Sequence, residues 1–267
     1  HSNQFPNKED SLLILEPYCV NKAKDYDLEF HKQINKIFTW SVKPLENTLS
    51  CNKIMEINHP YLEEFPDIKN LQNNWPKWNE RLNKIVFIAS NKSSNHFSEI
   101  YSLRLQLADL LFKHSKYEVE WYGQMPPGVT ILDKPYYKGQ IESKENLLKT
   151  IKFSVCTENC YDPIYSHNYF TEKMPDVWLA GCVPIYMGCY NIDEFGFNDH
   201  SYIDLRTYCQ KINGEWKIDI DSLIARIEGY DEPRYIGNVQ GVVNTINNLY
   251  HHVSYARAFE TMLKSYQ

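Results

Sequence analysis

The chain has 267 residues, which is enough for one large domain or two small ones with a sizeable buried core. Hydrophobic residues make up 43% and charged residues 23%, a composition typical of soluble globular proteins. The net charge of -6 gives no basic field, which argues against a protein that binds duplex nucleic acid. No apolar run approaches the ~20 residues that a membrane-spanning helix needs.

The seven cysteines are scattered and odd in number, which is typical of reduced thiols rather than of a disulfide framework. Cys156 and Cys160 lack the spacing of a zinc knuckle, and no second Cys or His pair completes a tetrahedral site, so we predict no metal. With no evident signal peptide, this pattern favours a cytoplasmic protein. A membrane-anchored lumenal domain and a place within a longer polypeptide stay open, because His1 and Ser2 could follow a removed leader.

The N-terminal part of the chain is predicted to form a partial domain. Three short apolar runs predict buried strands at Leu12–Leu15, Ile37–Trp40 and Ile54–Ile57. Residues 58–82 hold three prolines and two tryptophans among polar neighbours, which is typical of an irregular linker. We therefore predict an N-terminal domain and linker at residues 1–82 and a C-terminal domain at residues 83–267.

The C-terminal part alternates between strand and helix patterns. Strands are predicted at 84–89, 119–123, 153–156, 183–187 and 201–205. Helices are predicted at 100–111, 143–150, 171–180, 220–227, 238–250 and 254–266. This alternation predicts a parallel, doubly wound sheet, and such sheets bind ligands at the carboxyl ends of their strands.

The densest polar segment follows one of these predicted strands. That strand delivers Glu158 and Asn159 to the edge of the sheet, and a helix with Thr171 as its predicted N-cap follows after a loop. The start of a helix offers unpaired N–H groups to a phosphate, and Lys173 adds a full positive charge there. Glu172 can accept hydrogen bonds from two ribose hydroxyls. Taken alone, residues of these types are more often an ordinary helix cap and a solvated lysine.

The whole segment closely resembles the signature of the family 10 glycosyltransferases, the α-1,3/1,4-fucosyltransferases. That signature joins a Phe-Glu-Asn strand end to a Tyr-(Val/Phe)-Thr-Glu-Lys helix start and a later Val-Pro-Ile/Val-hydrophobic-x-Gly strand. Glu158–Asn159, Tyr169–Lys173 and Gly181–Gly188 match it in order and spacing. The chain departs from the signature at Thr157, where the family often has Phe, and in the longer loop 160–168.

Weaker resemblances lie upstream. The strand that ends at Ser90 and Asn91 is similar to the family's Phe-Val-x-Ser-Asn segment. Arg104, about one helical turn earlier than the family pattern, takes the place of an arginine that contacts the diphosphate. Glu16 is similar to the family's catalytic glutamate. A snorkelling surface arginine and an ordinary strand-terminal glutamate are the alternatives.

The resemblance implies an α/β fold of the GT-B type, with a Rossmann-like nucleotide-sugar-binding domain and a partial or reduced N-terminal acceptor domain. It also implies inverting transfer of L-fucose from GDP-fucose to a hydroxyl of an acceptor glycan. The expected partners are therefore a nucleotide sugar and an acceptor glycan, without nucleic acid. Two alternatives remain: the same scaffold with another nucleotide sugar, and a non-catalytic glycan- or nucleotide-binding domain of a larger protein.

The resemblance also implies a role for each site residue. Glu16 would be the general base that activates the acceptor hydroxyl. Lys173 and Arg104 would stabilise the leaving diphosphate without an obligatory metal, a divalent cation being an optional stimulant. Glu172 and Tyr169 would hold the ribose and the neighbouring part of the nucleotide. The remaining implied donor contacts are Ser90, Asn91, Glu158 and Asn159.

One competing motif is an Asp-x-Asp sequence at Asp219 and Asp221, which in another transferase fold chelates a metal-bound nucleotide sugar. The apolar periodicity that follows predicts a helix beginning at this point. Acidic residues are favourable in the first turn of a helix, so helix capping is the preferred interpretation.

Overall fold

Two parallel sheets form the framework of the molecule. In the first sheet, strands β1 (Ser11–Ile14), β2 (Lys36–Thr39) and β3 (Ile54–Glu56) lie in that order, and helix α1 (Leu28–Gln33) precedes β2. The three strands predicted in this part of the chain are confirmed. The computed structural model describes residues 11–17, 19–20, 28–45, 53–58, 73–90, 92–125, 130–197 and 200–265.

The second sheet has six strands in the order β6-β5-β4-β7-β8-β9, and every neighbouring pair is parallel. Its strands are β4 (Leu82–Ile88), β5 (Glu118–Tyr122), β6 (Tyr137–Gly139), β7 (Ile151–Thr157), β8 (Val183–Met187) and β9 (Ile203–Asp204). The strand order reverses between β4 and β7. In an open sheet of this kind the reversal leaves a crevice at the carboxyl ends of the two strands, where ligands bind.

Helices connect these strands and follow them, and most of them were predicted. They are α2 (Tyr101–His114), α3 (Lys144–Thr150), α4 (Lys173–Leu179), α5 (Ile220–Glu228), α6 (Glu232–Val253) and α7 (Tyr255–Lys264). The helix predicted at 238–250 begins earlier, at Glu232. An antiparallel hairpin of β10 (Cys209–Ile212) and β11 (Glu215–Ile218) was not predicted.

The second sheet is buried on both faces. Ile85 and Phe87 of β4 belong to the apolar cluster under α2 and α5, whereas Val86 belongs to the cluster under α4, because successive side chains of a strand point to opposite faces. All seven residues of β7 are buried, because both faces of the sheet are covered. Helices on both faces therefore fix the carboxyl ends of β4 and β7.

The start of α4 differs from the prediction. Its N-cap is Glu172, and the prediction of Thr171 as N-cap is wrong. The amide and hydroxyl of Thr171 both donate to the carboxylate of Glu158, so this side chain is not available to cap the helix. The predicted end is confirmed, because Gly181 follows the helix with a φ of +66°, a conformation that favours glycine.

The last described helix returns to the first sheet. Ala258 of α7 packs against Phe38 and Ile57. The side-chain amide of Asn58 donates to the carbonyl of Ser254 over 2.9 Å. The domain boundary after residue 82 stays a prediction. It falls just inside β4, which begins at Leu82, and α7 crosses back to the first sheet. No helix in the described ranges combines the length and apolar character of a membrane span.

Candidate active site

The Glu158 carboxylate lies at the centre of the site and is fully buried. It accepts hydrogen bonds from the Thr171 amide at 2.9 Å, from the Thr171 hydroxyl at 2.8 and 2.9 Å, and from Lys173 Nζ at 2.8 Å. A buried carboxylate is stable only when it is paired and hydrogen-bonded in this way. Glu158 therefore fixes the segment that leads into α4.

Gly188 makes room for this carboxylate. A Cβ atom at position 188 would lie 2.1 Å from Glu158 Cγ and 2.3 Å from Glu158 Cβ. Both distances are far inside van der Waals contact. The glycine at the end of the matched segment is therefore required by the buried glutamate on the neighbouring strand.

Replacing Gly188 with alanine is expected to displace Glu158 and to lower the free energy of unfolding by about 1–3 kcal/mol, the usual cost of overpacking. Urea denaturation measures the change. The matched control is Gly237→Ala in α6, where an added Cβ meets nothing within 4 Å. Alanine is the better helix former there, so the control should be as stable as the parent or more so. Equal stability of the two variants would show that Gly188 is not packed tightly against Glu158.

Lys173 is the first residue of α4, and its side chain is 19% exposed. Burial lowers the pKa of Lys173, but the charges of Glu158 and Glu172 outweigh burial and raise that pKa above its usual value. The ammonium group therefore stays charged at neutral pH. Because α4 has only seven residues, the positive charge here comes mainly from the lysine.

Three cations line one narrow cleft, with a volume of only about 10 Å³, between the carboxyl ends of β4 and β7: Arg104, Lys144 and Lys173. Lys144 is the first residue of α3, and its Nζ lies 2.5 Å from Asp176 Oδ2. Lys144 is not among the site residues predicted from the sequence. The available signal was its position directly after Ser143, the residue that caps α3 at the same edge of the sheet. The cleft lies where the strand order reverses.

Arg104 is buried and binds the end of β7. Its guanidinium donates to the Thr157 hydroxyl at 2.6 Å, to the Thr157 carbonyl at 2.9 Å, to the Glu158 carbonyl, and to Asn159 Oδ1 at 3.2 Å. Desolvation lowers the pKa of Arg104. The alternative of a snorkelling surface arginine is wrong, because the residue is only 2% exposed. Nη1 makes no hydrogen bond within the described ranges.

Glu16, beyond the end of β1, contacts two residues of the segment that follows β7 of the second sheet. Its Oε2 atom lies 3.3 Å from Asn159 Nδ2 and 3.4 Å from the Tyr169 hydroxyl, both of which donate to it. The ring of Tyr169 is buried and packs against Trp40 at 5.0 Å between centroids. The structure therefore brings the predicted base next to two of the predicted donor contacts.

The other predicted residues are placed less centrally. Glu172 is half-buried, and desolvation raises its pKa. The charges of Lys173 and Lys144, together with hydrogen bonds from its own amide and from Thr171, outweigh desolvation, so the net pKa is below the usual value and the side chain is ionised. Ser90 is exposed just beyond β4, and Asn91 lies outside the described residues. Asp219 caps α5 by accepting from the Ser222 amide at 3.1 Å, which confirms helix capping.

Within the part of the chain that the structure describes, no group of three or more His, Cys, Asp or Glu side chains is arranged to hold a metal ion. The charges that line the cleft are those of Arg104, Lys144 and Lys173.

Comparison with known proteins places the fold. No protein-family model matches the chain, and neither does any curated protein. Among solved structures, S. aureus TarM, in complex with fondaparinux, α-GlcNAc-glycerol and UDP, matches with a TM-score of 0.64 at 13% identity, covering 97% of this chain and 51% of TarM. The chain thus spans about half the length of TarM.

Two further structures match over most of the chain. An α-glucosyltransferase in complex with UDP-glucose and DNA has a TM-score of 0.61 at 10% identity, covering 96% of this chain and 71% of its own. An α1,3-fucosyltransferase with GDP has a TM-score of 0.54 at 15% identity, covering 99% and 79%. The predicted GT-B glycosyltransferase fold is therefore confirmed. Membership of family 10 and the absence of a nucleic-acid partner stay predictions.

Proposed function

We propose that the chain is a glycosyltransferase that binds a nucleoside-diphosphate sugar in the cleft between β4 and β7. The convergence of Arg104, Lys144 and Lys173 at the switch point of a GT-B sheet carries this proposal. In sugar transfer, negative charge develops on the leaving diphosphate. Fixed cations in a partly buried cleft stabilise that charge without a metal ion.

Each donor contact follows from its surroundings. The ionised Glu172 carboxylate accepts hydrogen bonds from the ribose hydroxyls, and the lysine beside it binds the diphosphate. Glu158 is fully buried, so in this proposal it acts on the donor by holding Lys173 rather than by touching the nucleotide. Arg104 offers Nη1 to a phosphate oxygen while its other nitrogens hold the end of β7.

The proposed reaction is one in-line displacement. An acceptor hydroxyl oxygen forms a bond to the anomeric carbon, the bond from that carbon to the diphosphate oxygen breaks with its electron pair, and Glu16 takes the hydroxyl proton. Asn159 and Tyr169 orient the Glu16 carboxylate through Oε2. The configuration at the anomeric carbon is thereby inverted.

The proposed donor is GDP-fucose, because the segment Tyr169–Lys173 matches the fucosyltransferase signature and the compared fucosyltransferase was solved with GDP. A UDP-sugar is the second candidate. The two structures with TM-scores of 0.64 and 0.61 contain UDP or UDP-glucose, whereas the fucosyltransferase has a TM-score of 0.54.

Thermal unfolding with added nucleotide separates these candidates. GDP at 100 times its Kd is expected to stabilise the protein by about 2.7 kcal/mol. For a chain of this size that corresponds to a rise in Tm of about 5–10 °C. UDP at the same concentration should leave Tm unchanged. A shift with UDP alone would exclude GDP-fucose, and binding of GDP-fucose without transfer to any acceptor would favour a non-catalytic domain.

A further inference from the structure

A second, larger cavity lies one strand further along the sheet than the cationic cleft. Its volume is about 880 Å³, and it is lined by the end of β8, the hairpin β10–β11, and the segments 94–99 and 161–163. The proposed donor contacts use none of these segments. The volume falls within the ~300–1,000 Å³ of typical small-molecule sites.

Three aromatic residues, Phe97, Tyr161 and Trp216, contribute to the lining of this cavity. Phe97 is 61% exposed, and its ring centroid lies 4.5 Å from that of His96. The Tyr161 ring lies against Tyr190 at 5.4 Å, and Trp216 is a further lining residue. An exposed phenylalanine beside a cavity leaves a flat apolar face for a ligand. The negative face of an aromatic ring attracts the weakly positive C–H groups that a sugar ring presents.

The cations that line the cavity are already neutralised. Arg206 Nη2 lies 2.7 Å from both Asp193 Oδ1 and Asp204 Oδ2. Lys211 Nζ lies 3.4 Å from Glu99 Oε1 and donates to the Glu99 carbonyl at 3.2 Å. The cavity therefore offers no uncompensated positive charge to a phosphate or sulfate group. This pairing favours a neutral ligand.

Polar groups that can bind hydroxyls face the same space. Asp162 Oδ1 accepts from the amides of Ile164 and Tyr165 at 2.8 and 3.1 Å, which fixes the side chain. Its Oδ2 atom accepts no hydrogen bond within the described ranges and can accept one from a hydroxyl. Gln210 is exposed at the rim and can both donate and accept.

We infer that this cavity binds the acceptor of the proposed reaction and that the acceptor is a neutral oligosaccharide, with a sugar ring against Phe97 and Tyr161 and a hydroxyl on Asp162. The inference rests on the proposed function. It is supported by the chain path, because Tyr161 and Asp162 closely follow Asn159 of the candidate active site. The amide of Glu158 also donates to the carbonyl of Met187, a lining residue, at 2.9 Å.

The test uses an array of neutral di- to hexasaccharides, with sulfated oligosaccharides and single-stranded DNA as competing probes. Phe97→Ala is expected to weaken binding of the neutral glycan, and to raise its KM as acceptor, by about 3- to 10-fold, in line with the worth of one aromatic contact. Asp162→Asn keeps Oδ1 and alters only Oδ2, so it should weaken binding of the same glycan. The matched control is Phe259→Ala, since Phe259 on α7 is 60% exposed.

The outcomes separate this inference from the proposed function. A rise in Tm with GDP, together with neutral-glycan binding that neither substitution weakens, would overturn the inference and leave the proposed function intact. The same holds if only sulfated glycans or DNA bind, or if no glycan on the array binds. A failure of every nucleotide to bind would overturn the proposed function itself.

Discussion

Replacing Lys173 with methionine is expected to lower kcat/KM by about 10²–10³-fold, the usual loss when one group that stabilises developing negative charge is removed. Methionine has a similar length and no charge. Lys173 lines the cleft and is held there by Glu158 at 2.8 Å. Steady-state kinetics with GDP-fucose measure the loss, and calorimetric titration with GDP measures the accompanying rise in Kd.

A second variant separates chemistry from folding. Lys173→Met alone leaves the buried Glu158 carboxylate without its cation, which costs about 3–5 kcal/mol of stability. The double variant Glu158→Gln/Lys173→Met removes both charges and should recover stability while staying inactive. Recovery of turnover in the double variant would show that the lysine serves only the fold. Lys149→Met, at the opposite end of α3 and paired with Glu145, is the control and should behave as the parent.

Replacing Glu16 with glutamine is expected to lower kcat by about 10²–10⁴-fold, the usual contribution of a general base. The amide oxygen can still accept from Asn159 and Tyr169, so the local structure should persist. The Kd for GDP should stay within twofold of the parent, because the proposed donor contacts lie on the second sheet. Single-turnover transfer assays and GDP titration measure the two effects separately.

Glu56 provides the matched control for Glu16. It ends β3 of the same sheet and contacts the loop between β7 and α4, since Asn168 Nδ2 donates to Glu56 Oε1 at 2.7 Å. Glu56→Gln should retain turnover. Loss of turnover in Glu56→Gln together with full turnover in Glu16→Gln would show that the general base is Glu56, at the end of β3, rather than Glu16.

The helices and strands with a clear hydrophobic periodicity could be predicted from the sequence. The buried strands and the amphipathic helix α5 carry their pattern in the sequence. The hairpin β10–β11 was missed although its Asn213-Gly214 turn has φ values of +52° and +85°, as an Asn-Gly hairpin turn requires. The strand β6 has only three residues, which is too short for a period to show.

The candidate site was predictable in part. The segment Tyr169–Lys173 could be recognised because its residue types are contiguous. The buried state of Glu158 could not, because it depends on Thr171 folding back and on the close approach of Gly188 from the next strand. Lys144 was missed for the same reason: it reaches the cleft from a helix before β7, and only the strand order brings it there.

A crystal structure of the chain with GDP would show whether the nucleotide binds in the cationic cleft. We expect the diphosphate between β4 and β7, with a phosphate oxygen within hydrogen-bonding distance of Lys173 Nζ and the ribose hydroxyls on Glu172. Nucleotide bound anywhere else, or Lys173 still paired only with Glu158 while GDP is present, would contradict this expectation.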